Sequence, residues 1–193
     1  MHVFSRLTGF ILFVLSLSLF AHAIPAPGTP GALTTRDAKC DQLVGVVVDL
    51  KTKIDACIAV MVKAEAAVHV VPQLEAVVGH IQATAEAVLA VGAIHDMDTI
   101  VKADVAAKVA AIIAVILKAC LRLSIKFGIQ IFLELFVKID AVLKLLLINL
   151  GVCVDEIVVL IGQFVLATCA HILVTLNFKL CLDVLAIVNL GIN

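Results

Sequence analysis

Six cysteines are the residues of this sequence with the most chemistry open to them. No two of them form a C-x-x-C or similarly close pair, which excludes a zinc ribbon and a thioredoxin-like redox centre. An even number of separated cysteines favours disulfides if the chain folds in an oxidising compartment. We therefore expect all six to be paired, with the connectivity left open by spacing alone. The six are Cys40, Cys57, Cys120, Cys153, Cys169 and Cys181.

The histidines and carboxylates show no pattern typical of a metal site. No H-x-x-x-H or H-E-x-x-H spacing occurs, and we expect no metal and no cofactor. His95, Asp96 and Asp98 lie close enough in sequence to hold a cation weakly, but helix capping, with Asp96 as the N-cap, explains both carboxylates more simply. The histidines are His2, His22, His69, His80, His95 and His171.

Catalytic pairs are equally absent from the sequence pattern. Ser124 is the sole serine after residue 23 and has no G-x-S-x-G context. Asp155 and Glu156 are adjacent, so on a helix they point about 100° apart, which does not suit an acid–base couple. The sequence therefore predicts a protein that is not an enzyme.

Lys118, Arg122 and Lys126 form a basic stripe at i, i+4 and i+8. Such a stripe can meet anionic lipid head groups. Cations in the last turns of a helix also stabilise its C-terminal dipole, and we favour this second interpretation because Gly128 follows as a helix-ending residue.

The composition indicates an apolar chain with balanced charge. Hydrophobic residues make up 63% of the 193 residues even without glycine, against roughly 45–50% with glycine in ordinary domains. The 14 basic and 15 acidic residues supply no electrostatic footprint for nucleic acid.

The N-terminus has the pattern of a secretory signal peptide, residues 1–23. Arg6 provides the positive charge, residues 7–20 the apolar stretch, and Ala21-His22-Ala23 the cleavage site. Residues 24–36 contain three prolines and two glycines, which predicts a flexible spacer. Residues 37–193 remain as a single domain, and we expect the protein to be secreted.

Helical periodicity runs through this domain, and no alternating strand pattern occurs. Spacings of three and four predict a first helix over residues 37–71, the longest of the set, which Pro72 ends while opening the second. Further helices are predicted at 72–93, 99–126, 129–149 and 152–176, with Asn149 to Gly151 as a break. Asn177 separates a short sixth. We expect an all-α antiparallel bundle of five or six helices.

The two halves of the domain differ in polarity. Only eight of the residues from Gly128 to Asn193 are charged, so a polar N-terminal half precedes an apolar C-terminal half. Within residues 129–149 the polar side chains fall in an arc of about 160°, which predicts an amphipathic helix with this charged arc facing water. They are Gln130, Glu134, Lys138, Asp140 and Lys144.

Residues 157–178 carry no formal charge and are long enough to span a membrane. We interpret them as a buried central helix because polar residues gather on one face. For the disulfides, a rise of about 1.5 Å per residue along an up-down bundle suggests the pairs Cys40–Cys153, Cys57–Cys169 and Cys120–Cys181.

Three segments resemble a family of small secreted proteins of mushroom-forming fungi: KCDQL…LKTKIDAC within residues 39–57, DMDTIVKADVAAKVAAIIAVILKACLRLSIKFG at 96–128, and FVKIDAVLKLLLINLGVCVDEIVVLI at 136–161. The resemblance implies a structural role in the hyphal wall and extracellular matrix, in attachment and aerial growth beside hydrophobins. The chain has no Cys-Cys doublet and so is unlike a hydrophobin itself.

Independently of that resemblance, a secreted helical domain with excess apolar surface must self-associate, coat an interface or hold lipid. We expect a non-enzymatic surface protein whose partners are its own copies, hydrophobic surfaces or wall components. A secreted lipid carrier and a membrane-embedded helical protein are the alternatives.

Overall fold

The computed structural model describes residues 38–189, with side chains through residue 185. The signal peptide and spacer predicted above lie outside this range. Within it the chain forms helices and no strand, which confirms the all-α prediction. The helices are α1 (Ala38–Lys63), α2 (Val71–Val91), α3 (Thr99–Phe127), α4 (Leu133–Cys153), α5 (Ile157–Thr175) and α6 (Lys179–Asn189), with 3₁₀ turns at Ala67–His69 and Ile129–Ile131.

The described helices pack around one shared aliphatic core. α1 packs against α2 and α3, α2 also against α4, and α3 also against α5, while α6 packs against both α4 and α5. The predicted stripe on α1 supplies its contribution to this core at spacings of three and four. Its buried members are Cys40, Leu43, Val47, Leu50, Ile54, Cys57 and Met61.

The first helix ends earlier than its periodicity predicts. α1 has 26 residues and stops at Lys63, whereas α3 has 29, so the prediction that the first helix is the longest is wrong. The Lys126 ammonium, on α3, donates a hydrogen bond to the carbonyl oxygen of Ala64 at 2.7 Å. This contact holds the end of α1 against α3. Pro72 lies in the first turn of α2, as predicted for a helix opener.

The predicted break at residues 149–151 is also wrong, since α4 continues to Cys153. The Asn149 amide is buried and donates a hydrogen bond to the Ala85 carbonyl of α2 at 2.8 Å. A buried amide with a partner on the neighbouring helix costs little. Asn149 thus joins α2 to α4 instead of ending α4.

Three helix boundaries depend on single residues. The N-cap of α3 is Asp98 rather than Asp96, because its carboxylate accepts hydrogen bonds from the amides of Ile100 and Val101. Gly128 ends α3 with φ 91°, a left-handed conformation that glycine adopts without strain. Asn177, with φ 61°, separates α5 from α6 as predicted.

Asp140 holds the start of α6 against α4. Its side chain is buried, and its two oxygens accept hydrogen bonds from the amides of Leu180 and Cys181, each at 2.9 Å. The charged arc predicted for α4 is therefore wrong at this residue, which does not face water. Two otherwise unpaired helix N–H groups are satisfied here inside an apolar core.

We expect Asp140→Ala to lower the free energy of unfolding by about 2–4 kcal/mol, because it leaves one buried and one partly buried amide donor without a charged acceptor. Urea unfolding followed by circular dichroism measures the change. Asp155→Ala, at an exposed residue, removes the same charge and should stay within about 0.5 kcal/mol of the parent. Equal stability of both variants would show that Asp140 does not hold α6.

Candidate functional site

No disulfide joins any of the six cysteines, all of which are buried. No two lie at disulfide distance, so the prediction of full pairing is wrong for this structure. Each cysteine faces inward on its helix as a small hydrophobic side chain, a common environment for this residue. The overturned pairs are Cys40–Cys153, Cys57–Cys169 and Cys120–Cys181.

Cys40 and Cys153 do lie at the same end of the bundle. The Cys153 thiol donates a hydrogen bond to the Gly92 carbonyl at 3.0 Å, and Lys39 bonds the next carbonyl, that of Ala93. Burial raises the pKa of Cys153, while the nearby Lys39 lowers it and Cys40 raises it. The helix rise therefore places Cys40 and Cys153 at the same end of the bundle correctly. The Cys153 thiol, however, bonds a backbone carbonyl and not Cys40.

Burial makes the core thiols poor nucleophiles. It raises the pKa of Cys120 to about 12. For Cys181, burial is again the main cause of a raised pKa, and the hydrogen bond and charge of Asp140 raise it further. Because the thiolate is the reactive form, these two cysteines are suited to packing rather than to redox or nucleophilic chemistry.

The other candidate catalytic residues are engaged in local structure. The Ser124 hydroxyl donates to the carbonyl of Cys120 one turn earlier, at 2.9 Å. Glu156 precedes α5 with φ 63° and its carboxylate lies 3.9 Å from the Lys102 ammonium. Across the described residues, no group of three or more histidine, cysteine or acidic side chains is arranged to hold a metal ion.

The solvent-facing side of α4 carries an apolar stripe along its whole length. Its members recur every three or four residues and span about 120° of the helix at 100° per residue. Val137 and Val152 are 60% and 63% exposed. We call this stripe the outer face of α4: Leu133, Val137, Ala141, Leu145, Ile148 and Val152.

The charged residues predicted to face water share this side of α4 with the apolar stripe. Lys138 pairs with Glu134 at 2.9 Å near the start of the helix, and both are exposed. The pKa of the Glu134 carboxyl is lowered by the Lys138 hydrogen bond and charge. Both residues therefore lie near the start of the stripe, and the partly exposed Lys144 lies within the same arc, as the sequence pattern predicts for water-facing charges.

α5 has a buried side and an uncharged exposed side. Ile161, Val165 and Leu173 are fully buried, so one side of the helix contributes to the core. On the exposed side the hydroxyls of Thr168 and Thr175 donate to carbonyls of their own helix, both at 2.7 Å. Such bonding satisfies a hydroxyl without water.

Two segments of the described chain are long and apolar enough to cross a membrane, Ala67–Val91 and Ile157–Thr175. The most apolar windows of these segments are 39% and 44% buried within the protein. Core helices and membrane spans share this composition, so length and hydropathy do not choose between them.

The basic stripe divides between two uses. Lys126 lies in the last turn of α3, as the helix-end interpretation requires, and its ammonium also bonds the Ala64 carbonyl and lies 5.1 Å from the ring centroid of Phe127. Lys118 and Arg122 are exposed. Both lie before the last turn of α3, where the helix-dipole effect has largely fallen off.

We expect the stability of the protein to fall as the pH rises above about 9. The pKa of the Cys120 thiol is near 12 in the folded protein and 9.0 as its ordinary value, so between these pH values the folded state binds a proton that the unfolded state has lost. One such group lowers the free energy of unfolding by about 1.4 kcal/mol per pH unit.

Urea unfolding at pH 8 to 11 measures this dependence in the parent and in Cys120→Ala. The variant should be less stable throughout but should lose stability less steeply with pH. Parallel pH profiles would contradict a protonated, buried Cys120.

Comparison with known proteins identifies no family for this chain. No protein-family model matches it, and no curated protein matches it significantly. The likeness to secreted fungal proteins stays a prediction, and function must be inferred from the chain's own residues.

Proposed function

We propose that this chain is a secreted, non-enzymatic structural protein of the fungal cell wall or extracellular matrix, which promotes attachment and aerial growth by adsorption or self-association. The outer face of α4 is the observation that carries the proposal. An aliphatic stripe that runs the length of a helix and stays in contact with solvent is costly for an isolated protein. Adsorption to a hydrophobic boundary or to a second copy removes it from water.

The arrangement of this face suits a boundary between water and an apolar phase. Its apolar side chains occupy one arc of the helix, as in helices that lie in the plane of an interface. The Glu134–Lys138 pair stands at one end, where it can remain hydrated. The uncharged exposed side of α5, with Phe164 42% exposed, adds further surface of low polarity within the same half of the chain.

Buried, protonated thiols fit the same proposal. A matrix protein that works by contact needs a durable core rather than a reactive centre, and the cysteines with raised pKa values contribute packing there. The engaged hydroxyl of Ser124 and the capping role of Asp98 likewise favour a structural protein over an enzyme.

The membrane-embedded alternative rests on Ile157–Thr175. One side of this helix packs against α3, α4 and α6, and its polar exposed residues include Gln163 and His171. A core helix of the adsorbing protein accounts for both observations, so we favour it over a span.

Replacing Val137 and Val152 by Lys should reduce adsorption to a hydrophobic surface severalfold, because two charges would have to be desolvated on the outer face of α4. A quartz microbalance with an alkylated surface measures adsorption, and circular dichroism checks that the helices remain. Val48→Lys with Leu89→Lys is the matched control, since these residues are 46% and 54% exposed in the N-terminal half.

The control variant should adsorb like the parent. If both double variants adsorb equally, the position of the added charges does not matter. That result would overturn the role of the outer face of α4.

Secretion is tested separately. Expressed in a filamentous fungus, the protein should appear in the medium or wall fraction with Ile24 as its first residue, because Ala21-His22-Ala23 has the small-x-small cleavage pattern. Mass spectrometry of the N-terminal peptide measures this. A cell-associated chain that still begins at Met1 would contradict it.

A further inference from the structure

A groove runs along the surface between the C-terminal halves of α1 and α3. It consists of two adjoining recesses of about 190 Å³ each. Both recesses share Val62, Ala119 and Arg122, so they form one elongated feature, which we call the α1/α3 groove. Its aliphatic walls are Ile58, Met61 and Val62 on α1, with Val115, Ala119 and Leu123 on α3.

Ala119 lines both recesses of the groove. Its side chain is a single methyl group, whereas the other aliphatic lining residues are larger. Beneath it, Leu74, Val77 and Cys120 close the floor without room for a water molecule. The groove is therefore open to solvent at its mouth and apolar at its base.

Three cations border this apolar channel: Lys118 on one recess, Lys126 on the other, and Arg122 on both. Lys126 is already engaged with the Ala64 carbonyl. Within the described part of the chain, neither Lys118 nor Arg122 forms an ion pair. Asp55, one turn before Ile58 on α1, is paired with Lys51.

We propose that the α1/α3 groove binds a single-chain anionic amphiphile, with its alkyl chain along the aliphatic walls and its carboxylate or phosphate head on Arg122 and Lys118. Charge complementarity selects the head group, because a guanidinium binds such oxyanions through paired N–H donors. The apolar base selects a chain. This site is separate from the outer face of α4 and does not depend on the proposed adsorption.

The size of the groove limits the occupant to one chain. A cavity of about 150 Å³ holds a benzene ring, and sites for drug-sized ligands run to roughly 300–1,000 Å³. Two adjoining recesses of about 190 Å³ thus accommodate an extended alkyl chain, whereas a two-chain phospholipid exceeds them. A fatty acid or a lyso-lipid has the matching chemistry.

Isothermal titration calorimetry of the full secreted chain with dodecanoate, below its micellar concentration, tests the proposal. We expect saturable binding with one molecule per chain. Dodecyltrimethylammonium, with the same chain and the opposite charge, should bind at least tenfold more weakly. Inorganic phosphate alone should show no saturable binding, because it lacks the alkyl chain.

Variants separate the two parts of the site. Arg122→Gln should weaken dodecanoate binding at least tenfold, because it removes the positive charge and the paired N–H donors of the guanidinium. Ala119→Leu should abolish binding by filling the groove. Lys108→Gln removes the same charge from α3 outside the groove and should leave binding unchanged.

Ala119 is buried, so Val62→Asp provides a surface variant that preserves the core. Val62 is 58% exposed, and a carboxylate there should repel dodecanoate and weaken its binding at least tenfold. Thermal unfolding checks that each variant is folded.

Equal binding of the two dodecyl probes, or parent-like affinity in folded Ala119→Leu or Val62→Asp, would overturn the proposal. A second outcome would assign the groove to another copy of the chain instead. In that case the parent does not bind dodecanoate, and Ala119→Leu changes the oligomeric state measured by sedimentation. Saturable binding of phosphate alone, as tight as that of dodecanoate, would leave an anion site without a chain and equally overturn it.

Discussion

The ends of the helices are where this apolar fold depends on polar side chains. A helix leaves backbone N–H and C=O groups unpaired at its two ends, and in a chain that is 63% hydrophobic few side chains can serve them. Asp98 caps α3, Asp140 caps α6, and Lys126 binds the carbonyl that follows α1. No buried side-chain nitrogen or oxygen among the described residues lacks a hydrogen-bond partner. The aliphatic stripes can pack together because these few side chains satisfy backbone groups that would otherwise be buried without hydrogen-bond partners.

This use of polar residues in the interior explains the outer surface. Asp140 and Asn149 lie on α4, in the apolar half of the chain, yet both are turned inward to serve α6 and α2. Fewer polar side chains are then left to cover the outside of α4, and aliphatic residues take their place there. The exposed apolar stripe is thus a consequence of the same composition that fills the core. It gives the proposed adsorbing surface a physical origin in the packing of the domain.

The apolar C-terminal half and the more polar N-terminal half of the chain each present a different kind of apolar surface. In the C-terminal half the outer face of α4 runs the length of an exposed helix side, which suits an extended boundary or a second protein surface. In the N-terminal half the α1/α3 groove is narrow and concave and is bordered by Lys118 and Arg122, which suits one small anionic molecule. Selection of an anionic amphiphile requires both the basic stripe and the groove, because cations on a fully polar surface would not bind an alkyl chain.

Periodicity in the sequence determined the helices and the inward-facing stripe of α1, because these features depend on residues three to four positions apart. The sequence also determined the ending of α3 at Gly128 and the left-handed residue Asn177, because both depend on local backbone preferences. Tertiary contacts decided the rest: α4 passes through Asn149 because Ala85 lies opposite it, and α1 ends early where Lys126 reaches its terminal carbonyl. The cysteines show the limit most clearly, since an even count says nothing of the distance between thiols. Only the packing of distant helices left every pair of thiols beyond bonding distance, and only that packing placed Lys118 and Arg122 beside an apolar groove.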